Sequence, residues 1–207
     1  MNKFTLNALI AISLYVMFGL ISNILSVKIL ILPIIGLAMD GGTLLYPFMF
    51  TVRDFVHKTI GRKLTKKLIL ITGALNLLMV GSFVLVGIMK PDPTWAFQEA
   101  YEFILMPIWR ITLASIFTAI VSEFIDTAIF SKVIKKFKND IVAVLTSNFV
   151  ALIVDSILFC LLAFYGTMPF SIILQIILAN LIIKVIMSIL SSPAIKLFKW
   201  EVSEDMK

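Results

Sequence analysis

Cysteine and histidine are almost missing from this sequence: Cys160 and His57 each occur once. One cysteine excludes an internal disulfide, and one cysteine with one histidine leaves nothing from which to build a thiolate–imidazole metal cluster. No HExxH, GxSxG, Walker or GxGxxG pattern occurs, so the usual metal-hydrolytic, nucleophilic and nucleotide-cradling constellations are absent. An enzyme is therefore the weakest reading, and no catalytic residue, metal or cofactor is expected. Charge is scarce as well, at 14% of residues. What fills the 207 positions instead is apolar: 60% of residues are hydrophobic and the mean hydropathy is +1.07, well above the composition of a soluble domain. Lipid cannot satisfy free backbone groups, so spanning segments must be helices or closed barrels, and the long apolar runs lack the alternation of barrel strands. The chain reads as an all-α polytopic integral membrane protein, one transmembrane domain over residues 1–207.

Apolar runs cover about Leu6–Val27, Thr43–Val56, Leu68–Met89, Met106–Phe130, Ile141–Tyr165 and Phe170–Leu197. A span needs roughly 20 residues, so five suffice and the second is short unless Gly41-Gly42 and the residues after Asp54 extend it. Pro33 with Gly36, Pro91 with Pro93, and Gly166 with Pro169 break the chain between runs. The first run follows Lys3 like an export signal, but it is too long for one and has no A-x-A pattern, so it reads as a retained helix. Lys58, Arg62, Lys63, Lys66 and Lys67 follow run two, Lys132, Lys135, Lys136 and Lys138 follow run four, and Lys196 and Lys199 lie in the tail. The intervening loops carry Lys28 with Asp40, and Lys90 with Asp92, Glu99 and Glu102. Basic residues at every second membrane edge place both termini in the cytoplasm around six transmembrane helices. The same distribution explains the net charge of +6 without a nucleic-acid partner. Trp95, Trp109 and Trp200 fall near the expected interfaces, where amphipathic rings settle.

An ionisable side chain at the bilayer centre costs about 2.5–3.5 kcal/mol, so each is a candidate functional residue. Asn23, Asp54, Arg110, Glu123, Asp126, Asp155, Asn180 and Lys184 are the candidates for binding a solute, with Arg53 and His57 on the short second helix. At about 1.5 Å per residue, Glu123, Asp155, Asn180, Lys184 and Asn23 fall toward the middle third, Arg110 near the outer face, and Asp54 and Asp126 near the inner. Glu123 and Asp126, three apart, share a helix face, as do Asn180 and Lys184, four apart. The blander reading is that such groups only pair with one another to hold a bundle together, Lys184 with Asp155 for example, for about a kcal/mol or less each. For Asp54, Asp126 and Arg110 the two readings weigh evenly; for Asp155, Lys184 and Glu123 function is favoured, because small polar residues would hold a bundle at lower cost. A mixed-charge polar interior without a ring of like charges or a carbonyl filter suits a transporter of a small polar solute better than a pore.

Several segments, in order, resemble the queuosine precursor transporter family, also described as vitamin uptake transporters: Ser22-Asn23, Tyr46-Pro47-Phe48-Met49-Phe50 with Asp54 and Gly61, Arg110-Ile111-Thr112-Leu113-Ala114-Ser115, Glu123, Asp126, Phe130-Ser131-Lys132, Ser147, Asp155, Lys184 and Ser192-Pro193. The chain departs from many members at His57-Lys58, Glu123 and Leu152. The resemblance implies a six-helix protein of the bacterial inner membrane that imports 7-deazaguanines, namely 7-cyano-7-deazaguanine, 7-aminomethyl-7-deazaguanine or queuine, for salvage into tRNA queuosine. Its partners would be that small solute and the lipid bilayer, with a homo-oligomer left open. The alternative is a substrate-capture subunit of an energy-coupling-factor type vitamin importer.

Overall fold

The computed structural model describes residues 3–33, 35–138 and 140–197, and within these the side chains other than those at 3–5, 46, 47, 50, 54, 57, 58, 62, 123, 127, 140, 141, 143–145 and 187–197. The elements are α1 (Lys3–Leu25), β1 (Ile29–Ile31), β2 (Ala38–Asp40), a 3-10 turn (Gly41–Leu44), α2 (Tyr46–Gly87), α3 (Gln98–Leu105), α4 (Ile108–Phe137), α5 (Asp140–Phe164) and α6 (Phe170–Leu197). Four stretches of the described residues are long and apolar enough to cross a membrane, Leu6–Leu25, Lys63–Gly87, Gln98–Phe137 and Thr146–Phe164, and Phe170–Ile186 is a shorter apolar helix.

The chain forms two compact units: Met1–Leu30 with Asp40–Trp109 and Ile183–Lys207, and Ile31–Met39 with Arg110–Ile182. In the first, α1 buries Ala11 and Tyr15 against Val52, Phe55, Val56 and Leu68 of α2. The next positions on that stripe of α1 are Gly19, Ser22, Asn23 and Ser26, all buried, at the i, i+3, i+4 and i+7 spacing of one helix face. A Cβ placed on Gly19 would meet Thr72 Cγ2 at 3.1 Å and Met49 Cε at 4.0 Å, so a small residue sets the close approach of the helices.

That double contact defines the shape of α2. Met49 and Thr72 are 23 positions apart and would stand about 35 Å apart along a straight helix, at about 1.5 Å per residue. Both lie against Gly19 because the helix folds back at Gly61, whose φ of 77° and ψ of 165° are not helical. Only glycine adopts such angles at low cost. The second run therefore does not stop at Val56 with a charged loop before Leu68, as the sequence pattern suggests; helix continues up to Gly61 from both sides. Lys63, Lys66 and Lys67 are exposed positions on the second arm of α2. Likewise Lys132, Lys135 and Lys136 lie on the last turns of α4 rather than in a loop, where positive charge complements the carbonyl end of the helix. Only Lys138 lies past the end, at φ 51°, with its N–H bonded to Ile134 O at 3.0 Å.

The faces of the second arm are inverted relative to a soluble helix. Its buried positions include Thr65, Thr72 and Asn76, while Leu64, Leu70, Ile71, Leu77, Leu78, Leu85 and Val86 are exposed. Water would select against that surface and lipid selects for it.

Two elements lie outside the six expected apolar runs. A short hairpin pairs β1 with β2, with Gly36 at φ 70° in its turn. The loop after α2 contains α3, whose Gln98 Nε2 donates to Gly87 O at 2.9 Å and whose Tyr101 hydroxyl donates to Phe83 O at 3.1 Å, capping the end of α2. Trp95, Phe97 and Phe103 stand exposed around it, and Trp109 is half-exposed at the start of α4, the placement expected of an aromatic belt. In the same loop Asp92 accepts from the N–H and the hydroxyl of Thr94, which holds its carboxyl below the ordinary carboxylate range.

Gly42, with a steric requirement, and Gly61, with a dihedral one, give a direct check. A Cβ on Gly42 would lie 2.1 Å from Ser26 Oγ and 2.5 Å from Ser22 O, whereas one on Gly81 meets nothing within 4 Å. Gly42→Ala and Gly61→Ala are each expected to destabilise the protein by about 1–3 kcal/mol, and Gly81→Ala to be neutral or stabilising. Thermal unfolding of the three variants in detergent measures the difference.

Candidate functional site

In the first unit, polar side chains converge where α1 ends and α2 begins. Asp40 is completely buried. Its Oδ1 accepts from Ser26 Oγ at 2.7 Å and from the Thr43 N–H at 3.2 Å, and its Oδ2 accepts from Thr43 Oγ1 at 2.8 Å. Asp40 is thereby the N-cap of the 3-10 turn, and Asp40-Gly41-Gly42-Thr43 folds as it does because aspartate caps well and two glycines let the turn press onto α1. One turn along α1 from Gly19, Asn23 donates to Asn76 Oδ1 at 2.7 Å, and Asn76 in turn donates to Thr72 O at 2.9 Å. These groups form two hydrogen-bonded sets, Ser26 with Asp40 and Thr43, and Asn23 with Asn76.

In the second unit, Arg110 stands partly exposed at the start of α4, and its guanidinium donates to Leu162 O and Tyr165 O. Those are carbonyls at the end of α5, left without helical donors, and a cation there is favoured by the helix dipole. Asp155 on α5 accepts from Ser122 of α4 at 3.4 Å. Asn180 of α6, 2% exposed, donates to Cys160 Sγ at 3.4 Å, so the single cysteine is a buried free thiol in a hydrogen bond. Ala38 N donates to Gln175 Oε1 at 3.1 Å, tying β2 to α6. Asp126 Oδ1 is buried and accepts no hydrogen bond, and the buried hydroxyls of Thr112 and Thr118 have no partner either. Lys184, one helical turn beyond Asn180 on α6 and already in the first unit, is 2% exposed.

Of the eight residues singled out by polarity, Asn23, Asn180 and Lys184 are buried and Arg110, Asp126 and Asp155 partly buried. The side chains of Asp54 and Glu123 lie outside the described residues. Asn23, Asp155 and Asn180 meet Asn76, Ser122 and Cys160, uncharged partners that a search for ionisable groups passes over. Asp40 was also missed, because it reads as a loop charge opposite Lys28. Its available signal was the Asp-Gly-Gly-Thr cap pattern. Among the described residues no group of three His, Cys, Asp or Glu could hold a metal ion.

Helices with aliphatic outer faces and polar buried ones define a multi-pass membrane protein. Residues 40–198 match the family described as "Putative vitamin uptake transporter", and the chain belongs to this family of transporters, which is not a class of enzyme. A "Probable queuosine precursor transporter" of Bacillus subtilis (strain 168) is 26% identical over 163 residues, 76% of this chain and 70% of that protein. No solved structure matches the chain.

If the Asn23–Asn76 bond ties α1 to α2, Asn23→Ala and Asn76→Ala should each lower stability, and a double-mutant cycle in detergent should return a coupling of about 0.6–1.7 kcal/mol. Strict additivity would mean that the bond contributes nothing to stability.

Proposed function

We propose that this protein imports a queuosine precursor, a 7-deazaguanine base such as 7-cyano-7-deazaguanine, 7-aminomethyl-7-deazaguanine or queuine, across a bacterial cell membrane for tRNA queuosine salvage. The observation that carries this reading is the similarity, over 76% of the chain, to the Bacillus subtilis protein named for that transport. The buried polar groups supply chemistry that suits it. A guanine-like edge presents N1–H and a 2-amino group to an acceptor and O6 to a donor. Asp155 and the other membrane-embedded carboxylates are acceptors, and Asn180 and Lys184, on one face of α6, are donors. A site whose buried polar groups require that edge rejects solutes lacking it, since their partners would be left unpaired.

The reading includes six crossings with both termini cytoplasmic, the two arms of α2 counting as separate crossings that reverse at Gly61. In a Cys160→Ser background, cysteines introduced at Lys66 and Lys136 are expected to be inaccessible to an impermeant thiol reagent in intact cells, and one at Asp92 to be labelled. Labelling at Lys136 with Asp92 protected would reverse the orientation.

In cells unable to make queuosine, expression should restore queuosine in tRNA when a 7-deazaguanine precursor is supplied at low concentration, and the purified chain alone should transport it into liposomes. Binding without transport in liposomes would favour the capture-subunit alternative. Lys184→Met should weaken binding of the base by at least about tenfold, since a hydrogen bond from a charged donor contributes about 1.5–3 kcal/mol. Unchanged affinity in a folded Lys184→Met protein removes Lys184 from the site.

A further inference from the structure

Resting on the transport reading above, we infer that the face of α4 carrying Thr112, Thr118 and Asp126 lines the path of the solute, with Asp126 accepting from its N–H groups and the two hydroxyls exchanging hydrogen bonds with it in passing.

Buried hydroxyls on α2 bond to the backbone of their own helix. On α2, the buried Thr59, Thr65 and Thr72 each donate to the carbonyl four residues back, at 2.8 to 2.9 Å. This is the default for a hydroxyl on a helix in an apolar setting, because no water is there to take its proton. Thr112 and Thr118 are completely buried and make no such bond, although Ile108 and Ala114 stand four residues before them. A buried polar group left unmatched is destabilising, and a hydroxyl rotation would avoid that cost. Asp126 Oδ1, unpartnered on the same helix, is costlier still to leave so.

These atoms are also placed together. With about 100° of rotation per residue, Thr112, Thr118, Ser122 and Asp126 fall within a sector of about 120°. Trp109, Leu113, Phe117, Ile120 and Phe124, all about half-exposed or more, occupy the opposite side. One side of α4 is thus dressed for lipid, and the other carries open hydrogen-bonding atoms over about 21 Å at the helical rise. Ser122, midway along the open side, donates to Asp155 and places a second carboxylate beside it. Within this unit α6, over Phe170–Ile182, and the segment Ile31–Met39 carry no charged residue. Arg110 is engaged with the end of α5 at one end of the track, and exposed Lys132, Lys135 and Lys136 stand at the other. A series of single, uncommitted hydrogen-bonding atoms binds weakly at each step, as conduction requires: enough to admit the solute and not enough to retain it.

The test uses the full chain with Cys160→Ser, reconstituted in liposomes. Single cysteines at Thr112, Thr118, Asp126, Phe117 and Phe124 are exposed to a small hydrophilic methanethiosulfonate with and without 7-aminomethyl-7-deazaguanine. The first three should be labelled and be slowed at least severalfold by the base, and the two phenylalanine positions should stay unlabelled. In parallel, Thr112→Val and Thr118→Val should cut uptake by about tenfold while leaving thermal stability equal or raised, because an unpartnered hydroxyl contributes nothing to the fold. A structural role predicts the opposite pair of results. Inert cysteines on the track, labelling that the base does not slow, or valine variants that transport normally each overturn the assignment while leaving the transport reading in place. A parent chain that transports none of the three bases overturns that reading itself, and this assignment with it.

Discussion

A lipid bilayer offers no hydrogen bonds, and the rest of this structure follows from that constraint. Each amide and each polar side chain in the membrane must find its partner within the protein. The backbone meets the demand by forming helices, and the side chains meet it by turning inward. The second arm of α2 shows the result, with Thr65, Thr72 and Asn76 buried and leucines outermost. Apolar burial contributes little to the association of such helices, since lipid is as apolar as leucine, so close packing and polar contacts hold them. Gly19 against Thr72 and Met49, and Asn23 bonded to Asn76, are the two kinds of contact side by side.

The same constraint explains where the chain departs from regular helix. Non-helical backbone is tolerated when protein covers it and satisfies its groups. Gly41 and Gly42 lie buried against α1, and the Gly41 N–H donates to Lys28 O at 2.9 Å. The carboxylate of Asp40 gathers the donors of Ser26 and Thr43. A buried carboxylate is expensive unless fully hydrogen-bonded, so the tightness of the turn and the burial of Asp40 are one requirement. The family match begins at this residue.

Much of this was legible in the sequence, for physical reasons that also mark the limits. Apolar run length identified the helices because the thickness of a bilayer is fixed, and Gly36, Gly166 and the proline pair at Pro91 and Pro93 marked the turns between them. Helix ends were less legible: lysines look like loop residues, yet Lys63, Lys66, Lys135 and Lys136 ride on helical turns, since a charged side chain beyond the hydrocarbon does not oppose helix. The fold-back at Gly61 could not be read, because one glycine in a basic stretch is equally compatible with a loop. The α3 helix was hidden by its acidic, proline-preceded context. Among the candidate residues, polarity in an apolar run drew attention to Asn23, Asn180 and Lys184, which the fold buries. It passed over Asp40, whose burial depends on a contact with Ser26 from another helix, and it did not single out the hydroxyls of Thr112 and Thr118, because a sequence does not show where a hydroxyl donates.

That last distinction separates two kinds of buried polar group in this protein. Ser26, Asp40 and Thr43, and Asn23, Asn76 and Thr72, close upon one another, and a closed network is rigid because breaking any bond strands a group with no water to replace the partner. Thr112, Thr118 and Asp126 on α4 are open, and an open polar atom in lipid raises the free energy until something supplies its partner. A carrier needs both. The bonded sets hold α1 and α2 together, and on the proposed transport reading the open atoms are those that a solute's own donors and acceptors would complete. Selectivity on that reading would come from the cost of leaving those atoms unmatched, which a solute without the complementary edge cannot offset.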